Sequence, residues 1–268
     1  RTPPTANARK TDQPVSRRSP LVTVMSAAAD KAAKSLLRDF NEVEHLQVSK
    51  KGTNDFVTAA DLRAEKTLIE ELSHARPGFG FLSEESKPIP AKDGRSRWII
   101  DPLDGTLNFM HSVPQACISI AAEQDGELVA AIVFDPLRDE LFWADKGEGA
   151  YVNQKRLRAS KRERIADCMI AHGRAAGEKP EHQERFLQQM GHVMRHTRDL
   201  RRMGSAALDL AYVAGGRFDG FWEEGLKPWD IAAGVLLVQE AGGYVTQTNG
   251  SPFELEKGSV LAGNRHIH

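Results

Sequence analysis

Apolar residues at Leu21, Met25, Ala28, Ala32, Leu36 and Phe40 recur every three or four positions, the period of a helix with one buried face. Ser19 can cap that helix, and Pro20 suits its first turn. Residues 41–57 hold no sustained period, and Lys50, Lys51 and Gly52 read as an exposed turn. A second helix is predicted over about 59–74, with Leu68, Ile69 and Leu72 inward, Asp61 in its first turn and Pro77-Gly78 ending it. Brief apolar runs at 79–82 and at Trp98-Ile99-Ile100 read as strands. An antiparallel meander follows near 116–124, 128–135 and 140–145, turned at Asp125-Gly126 and Asp135-Pro136.

Residues 153–165 are rich in Lys and Arg and nearly free of large apolar groups, so a boundary is expected between a half at 19–155 and a half at 156–268. The second half alternates strand and helix. Strands are predicted near 168–172 and 197–202 around a helix near 181–195, whose inner face is Phe186, Leu187, Met190 and Val193. Gly204-Ser205-Ala206-Ala207 opens a small-residue helix closed by Gly215-Gly216, and a strand over 218–223 ends in acids. Asp230 reads as the N-cap of an almost wholly apolar helix closed by Gly242-Gly243, before final strands near 244–247 and 260–262.

Composition narrows the classes. With 268 residues, 40% of them hydrophobic, the chain can form one large or two modest domains. Its net charge of −1 offers no global basic field, so neither a membrane nor direct nucleic-acid contact is expected. No apolar run approaches the ~20 residues of a membrane span. Cys117 and Cys168 make neither a disulfide framework nor a zinc pattern, which points to a reducing, cytoplasmic setting. Residues 1–18 carry Arg1, Arg9, Lys10, Arg17 and Arg18 against Asp12, with three prolines, and read as a disordered basic tail. With no secretion-type apolar region, an upstream extension is favoured over a targeting segment or a nucleic-acid arm.

Candidate chemistry centres on Asp101-Pro102-Leu103-Asp104-Gly105-Thr106. Pro102 lacks an amide hydrogen, so the chain is expected to leave its strand at Asp101. Clustered acids repel unless a cation joins them, while the amides of Gly105 and Thr106 at a helix start attract anions. A divalent metal and a phosphate would satisfy both. The plainer reading is an ordinary turn with Asp104 as a helix cap. Glu84 and Glu85 taken alone are a solvated loop, and Asp61 and Asp230 alone are favourable charges at helix starts. Magnesium, however, wants oxygen ligands from several separate elements, and Glu84, Asp101, Asp104 and Asp230 are candidates on such elements, although spacing alone does not bring Asp230 to Asp104.

The segments Phe81–Ser86 (FLSEES), Trp98–Pro114 (WIIDPLDGTLNFMHSVP) and Lys227–Gly243 (KPWDIAAGVLLVQEAGG) resemble, in order, three signatures of the inositol monophosphatase family, with Asp55–Asp61 and Arg201–Glu223 also similar. The likeness covers roughly 19–265. It implies an α/β fold, α+β in its N-terminal half: a layered αβαβα sandwich of the sugar-phosphatase type with the site between the halves. It implies Glu84, Asp101, Asp104, Asp230 and the carbonyl of Leu103 as metal ligands, and Asp61 as ligand of a further, weaker metal beside Thr106. It assigns catalysis to Glu84, Thr106, Asp61 and Asp104. The phosphate falls to the amides of Gly105 and Thr106, a sugar-type hydroxyl to Glu223, and the neighbouring pocket wall to Ser205 and Ala206, with Asp104 and Asp230 also facing the substrate.

The implied activity is magnesium-dependent, lithium-sensitive hydrolysis of a phosphate monoester by a homodimer, with two or three Mg2+ or substituting Mn2+. A metal-activated water attacks phosphorus in line, without a covalent enzyme intermediate. The expected substrate is myo-inositol 1-phosphate. Histidinol phosphate, fructose 1,6-bisphosphate or a nucleotide phosphate are the alternatives on this fold, and a regulatory partner of RNA machinery is the alternative of another class. Ser83, Leu107 and Ser112 depart from the family pattern and bear on loop geometry and substrate fit, not on the ligand set. The chain ends at His268, short of the family's closing helix, which suggests a truncated C terminus.

Overall fold

The computed structural model describes residues 18–42, 48–52, 55–173 and 180–268, and side chains from this set except 48–52, 55–57 and 180–182. The predicted disorder of the tail concerns residues outside it, apart from Arg18.

Five layers alternate helix and sheet. Helices α1 (Pro20–Asn41) and α2 (Ala59–Ala75) cover one face of a seven-stranded sheet ordered β3-β4-β5-β6-β7-β8-β9. Its strands are β3 (Gly80–Ser83), β4 (Ser96–Asp104), β5 (Cys117–Gln124), β6 (Glu127–Asp135), β7 (Glu140–Asp145), β8 (Gly149–Val152) and β9 (Lys155–Arg156). Only β3 and β4 pair in parallel; the others form the expected meander. Alternation along β5 sends Ile118, Ile120 and Ala122 towards α1 and α2, and Cys117 and Ala121 to the opposite core.

That second core holds α5 (Ala206–Ala214) and α6 (Pro228–Glu240), lying between the two sheets. Burial on all sides explains why both helices are apolar almost all round. The second sheet, ordered β11-β10-β12-β14-β13, consists of β10 (Met169–His172), β11 (Asp199–Arg201), β12 (Gly220–Glu224), β13 (Tyr244–Thr246) and β14 (Ser259–Gly263). Phe186, Met190 and Val193 of α4 (Pro180–His196) pack on its outer face around Ile170 and Trp222. Helix α5 meets α6 at Gly234, where a Cβ would stand 2.5 Å from Leu210 Cβ. Gly234→Ala is therefore expected to destabilise the fold by about 2 kcal/mol through overpacking, measured as a fall in thermal midpoint.

Four local readings change. Leu187, expected on the inner face of α4, is 52% exposed. The stretch 41–57 contains a hairpin, β1 (Val48–Gly52) with β2 (Asp55–Thr58), rather than irregular chain only. Strand β4 does not end at Asp101: Asp101 pairs with Ser119 and Asp104 with Cys117, a register shift that takes Pro102 into a bulge where its missing N–H costs no ladder bond. Asp230 is not the N-cap of α6. Lys227 holds that position, Pro228 follows, and Asp230 reaches back to the cap from the third helical residue. No helix among the described residues is long and apolar enough to cross a membrane.

Candidate active site

The bulge in β4 is where the acids meet. Asp101 is buried, and its Oδ1 accepts a hydrogen bond from Leu103 N at 2.9 Å. Gly105 then turns the chain with φ of +98°, where a Cβ would lie 2.7 Å from the carbonyl oxygen of Gln115, so only glycine fits. The five-residue helix α3 (Thr106–Met110) starts immediately after. Beside the bulge, Glu84 N donates to Ile100 O at 3.2 Å and ties the end of β3 to β4.

Asp104 is half-buried and does not cap α3. Its Oδ2 accepts from Ser205 Oγ at 2.7 Å and from Ala207 N at 2.8 Å, so it serves the start of α5 instead. Cys117 Sγ stands 3.9 Å from the same oxygen. Asp230 Oδ2 accepts from Lys227 N at 2.6 Å at the start of α6. At the start of α2, Asp61 Oδ2 accepts from Thr58 N at 2.9 Å and from Thr58 Oγ1, a capping box, while its Oδ1 faces Thr106 Oγ1 at 3.1 Å. Thr106 Oγ1 also lies 3.1 Å from the carbonyl oxygen of Leu103. The acids thus arrive on β4, which carries both Asp101 and Asp104, on α2 and on α6, each with an oxygen held by a nearby donor.

Burial and the neighbouring charges act together on these groups. Burial pushes Asp101 well above the usual carboxylate range, and the charges of Glu84, Asp104 and Asp230 push it further. Burial lifts Asp104 to about 6, against the hydrogen bonds from Ser205 and Ala207. Asp230 rises to about 8, first by burial, with the charges of Asp104 and Glu84 adding to it and Lys227 opposing. Asp61 rises more modestly, by burial, held back by Thr58 and Thr106. Among the described residues no group of three or more His, Cys, Asp and Glu side chains is already gathered as a ligating cluster. Asp101, Asp104 and Asp230 each turn an oxygen to a protein donor. An all-oxygen, strongly anionic set still fits a hard divalent cation.

Glu223, the penultimate residue of β12, is a buried acid raised well above its usual range by burial and then by Asp230, Asp209 and Asp104, with Arg202 opposing. Its carboxylate lies where a Cβ of Gly173 would be, which reserves that position for glycine.

This chain matches the Inositol monophosphatase family over residues 17–268. The chain belongs to that family. It is 52% identical over 250 residues to an inositol-1-monophosphatase of Rhizobium meliloti (strain 1021), covering 93% of this chain and 94% of the relative. It is 40% identical over 248 residues to the Nus factor SuhB of Escherichia coli (strain K12), covering 92% of each. The crystal structure of the extragenic suppressor protein suhB from Bartonella henselae superposes with a TM-score of 0.89 at 50% identity, covering 93% of this chain and 95% of that one.

Within this family member, three residues near the acids escaped the sequence reading. Glu65 of α2 is buried and receives Ser83 Oγ and, at 2.9 Å, Glu85 N, fixing the loop that carries Glu84. That bond gives the unexpected Ser83 a purpose. Asp209 is buried in α5, its Oδ1 without a partner, and burial followed by the charge of Asp104 holds it well above the carboxylate range. An acid inside a wholly apolar helix was the available signal. Cys117 touches Asp104 and Ser205, a contact between distant segments that no local pattern announces.

Proposed function

We propose that the chain hydrolyses a phosphate monoester with magnesium, and that myo-inositol 1-phosphate is its substrate. What carries this reading is the bulge that sets Asp101 and Asp104 on one strand end with Glu84 tied beside it, where the charges of Glu84, Asp104 and Asp230 raise the proton affinity of the buried Asp101. Those four, with the carbonyl of Leu103, would hold two Mg2+; Asp61 would hold a third, and Mn2+ would substitute. Bound there, the cations would neutralise the ester dianion, acidify the attacking water and stabilise the leaving alkoxide.

The protein's own groups supply the rest. Thr106 Oγ1, oriented by Asp61 and the Leu103 carbonyl, is placed to accept a hydrogen bond from the attacking water, with Glu84 as the proton acceptor. The amides of Gly105 and Thr106 bind phosphate oxygens, so the ester is fixed against the bulge. Asp104 and Asp230 are held from behind by Ser205, Ala207 and Lys227, which leaves their outer oxygens for the cations. Glu223 accepts a hydrogen bond from a ring hydroxyl, and Ser205 and Ala206 form the adjoining wall. We assign the pocket to the junction of residues 19–155 with residues 156–268. Lithium inhibition, a homodimer and a cytoplasmic setting belong to the same reading.

The test is phosphate release from inositol 1-phosphate, histidinol phosphate, fructose 1,6-bisphosphate and a nucleoside monophosphate, with magnesium and with magnesium plus lithium. The highest kcat/KM is expected on inositol 1-phosphate; a preference for another ester by more than tenfold overturns the substrate assignment. The name of the Escherichia coli relative favours a second reading, a role beside the transcription machinery, which would survive loss of hydrolysis.

A further inference from the structure

Asn108 of α3 stands on a fixed mount. Its own carbonyl accepts from His111 N at 3.1 Å and from Val113 N at 2.8 Å. The next residue, Phe109, is buried against Phe40, with ring centroids 5.3 Å apart. From that mount the half-buried side chain crosses to the second half of the chain. Nδ2 donates to Met203 O at 2.8 Å and to Gln115 O at 2.9 Å, with Gly204 O sharing at 3.3 Å. All three partners are carbonyl oxygens, which only accept, so both hydrogens of the amide group are engaged.

These bonds complete a clasp. Met203 and Gly204 lead directly into Ser205 and Ala206 at the start of α5. Asp104 grips that start through Ser205 Oγ and Ala207 N, and Asn108 holds the approach to it. Two side chains of one turn thereby fix a segment 95 positions further along the chain. The fit is close on both sides. Gly204 has φ of +81°, and a Cβ there would stand 3.1 Å from Asn108 Nδ2. The Gln115 carbonyl that accepts from Asn108 is the one that bars a Cβ from Gly105. The two grips differ in kind: Asp104 also faces the proposed cations, whereas Asn108 Nδ2 meets backbone carbonyls.

We propose that Asn108 is a positioning residue for substrate, whose amide group sets the Ser205-Ala206 segment against the Gly105-Thr106 turn and so determines how well a polyol ester is held. The proposal rests on the reading of Gly105 and Thr106 as the phosphate cradle and of Ser205 and Ala206 as the pocket wall. A wall left free to move must be ordered each time a ligand settles against it, which weakens binding. Loss of the clasp should therefore act on the grip on the polyol and not on the chemical step.

Steady-state kinetics test this on inositol 1-phosphate and on p-nitrophenyl phosphate, whose flat leaving group lacks hydroxyls. The magnesium concentration for half-activation is a third readout. Asn108→Ala is expected to raise KM for inositol 1-phosphate about tenfold, with its kcat, KM for p-nitrophenyl phosphate and half-activating magnesium within about twofold of native. Asn108→Asp, of the same shape but with no hydrogens to donate, should do at least as much. Gly204→Ala presses on the clasp from the other side and should show the same split, so it carries the test if the Asn108 variants do not fold. A purely structural Asn108 would instead lower the thermal midpoint and cut kcat on both esters alike. That result, or an unchanged KM for inositol 1-phosphate in a folded Asn108 variant, overturns the proposal. If the native chain prefers another ester of the panel, the substrate assignment alone fails, and the same KM split is expected on the preferred ester. A native chain that released phosphate from none of them would overturn the phosphatase reading and this proposal together.

Discussion

Asp104→Asn is expected to abolish magnesium-dependent phosphate release, by at least about 10²–10³-fold in kcat, the cost of removing one preorganised charge-stabilising group. The same substitution should make the cation-free protein more stable. Asp104 ionises at about 6 in the folded chain against an ordinary 3.8, so its charge is disfavoured by folding. At pH 8 that corresponds to about 3 kcal/mol at full effect, and to about 1–2 kcal/mol once the group's partial exposure to solvent is allowed for. The neutral amide escapes this penalty and keeps an oxygen to accept from Ser205 and Ala207. Activity and stability moving in opposite directions is the signature of a side chain retained for function. If Asp104→Asn retained phosphate release, Asp104 would have no part in the chemistry. If it lost both activity and stability, its role would be structural, as the cap of α5.

The second large effect is a dependence of stability on pH that divalent cations reverse. An acid whose folded pKa is raised favours the folded state only while it is protonated. Its contribution is therefore greatest below the unfolded value near 4 and is lost as pH rises through the folded value. For Asp104 that window closes at about 6 and for Asp230 at about 8, with Asp101 shifted in the same direction. Without divalent ions, the thermal midpoint is expected to fall by about 5–10 °C between pH 5 and pH 8, given about 2–4 °C per kcal/mol for a chain of this size. Magnesium at a hundred times its dissociation constant should return about 2.7 kcal/mol at pH 8 and little at pH 5, where protons already occupy the carboxylates. Scanning calorimetry at the two pH values, with chelator or with magnesium, reads this directly. A midpoint that magnesium raised equally at both would mean that the cation binds elsewhere.

Much of the site could be read in the sequence because its parts are local. The strand-to-turn change at Asp101–Thr106, the acid in the first turn of α2 and the apolar run after Asp230 all declare themselves within a few residues. What stayed hidden depends on contacts across the fold. Asp104 looked like a cap for the helix beside it, yet its donors are Ser205 and Ala207, on an element that β4 meets only after the chain has folded. Glu65 looked like any acid on a helix until Ser83 and Glu85 were found against it. Pro102 seemed to end its strand because the ladder rule holds for regular pairing, and the bulge is where that rule relaxes. The role of Asp230 in its helix was legible after all: proline favours the first helical position, so Pro228 implies Lys227 as the cap.

Crystals soaked in manganese and measured at the manganese absorption edge offer the most direct test of the site. Anomalous peaks are expected between Asp101, Asp104 and Asp230, within bonding reach of Glu84, and absent in crystals of Asp104→Asn. Manganese density found only elsewhere on the chain, with that corner empty in an active enzyme, would contradict the assignment.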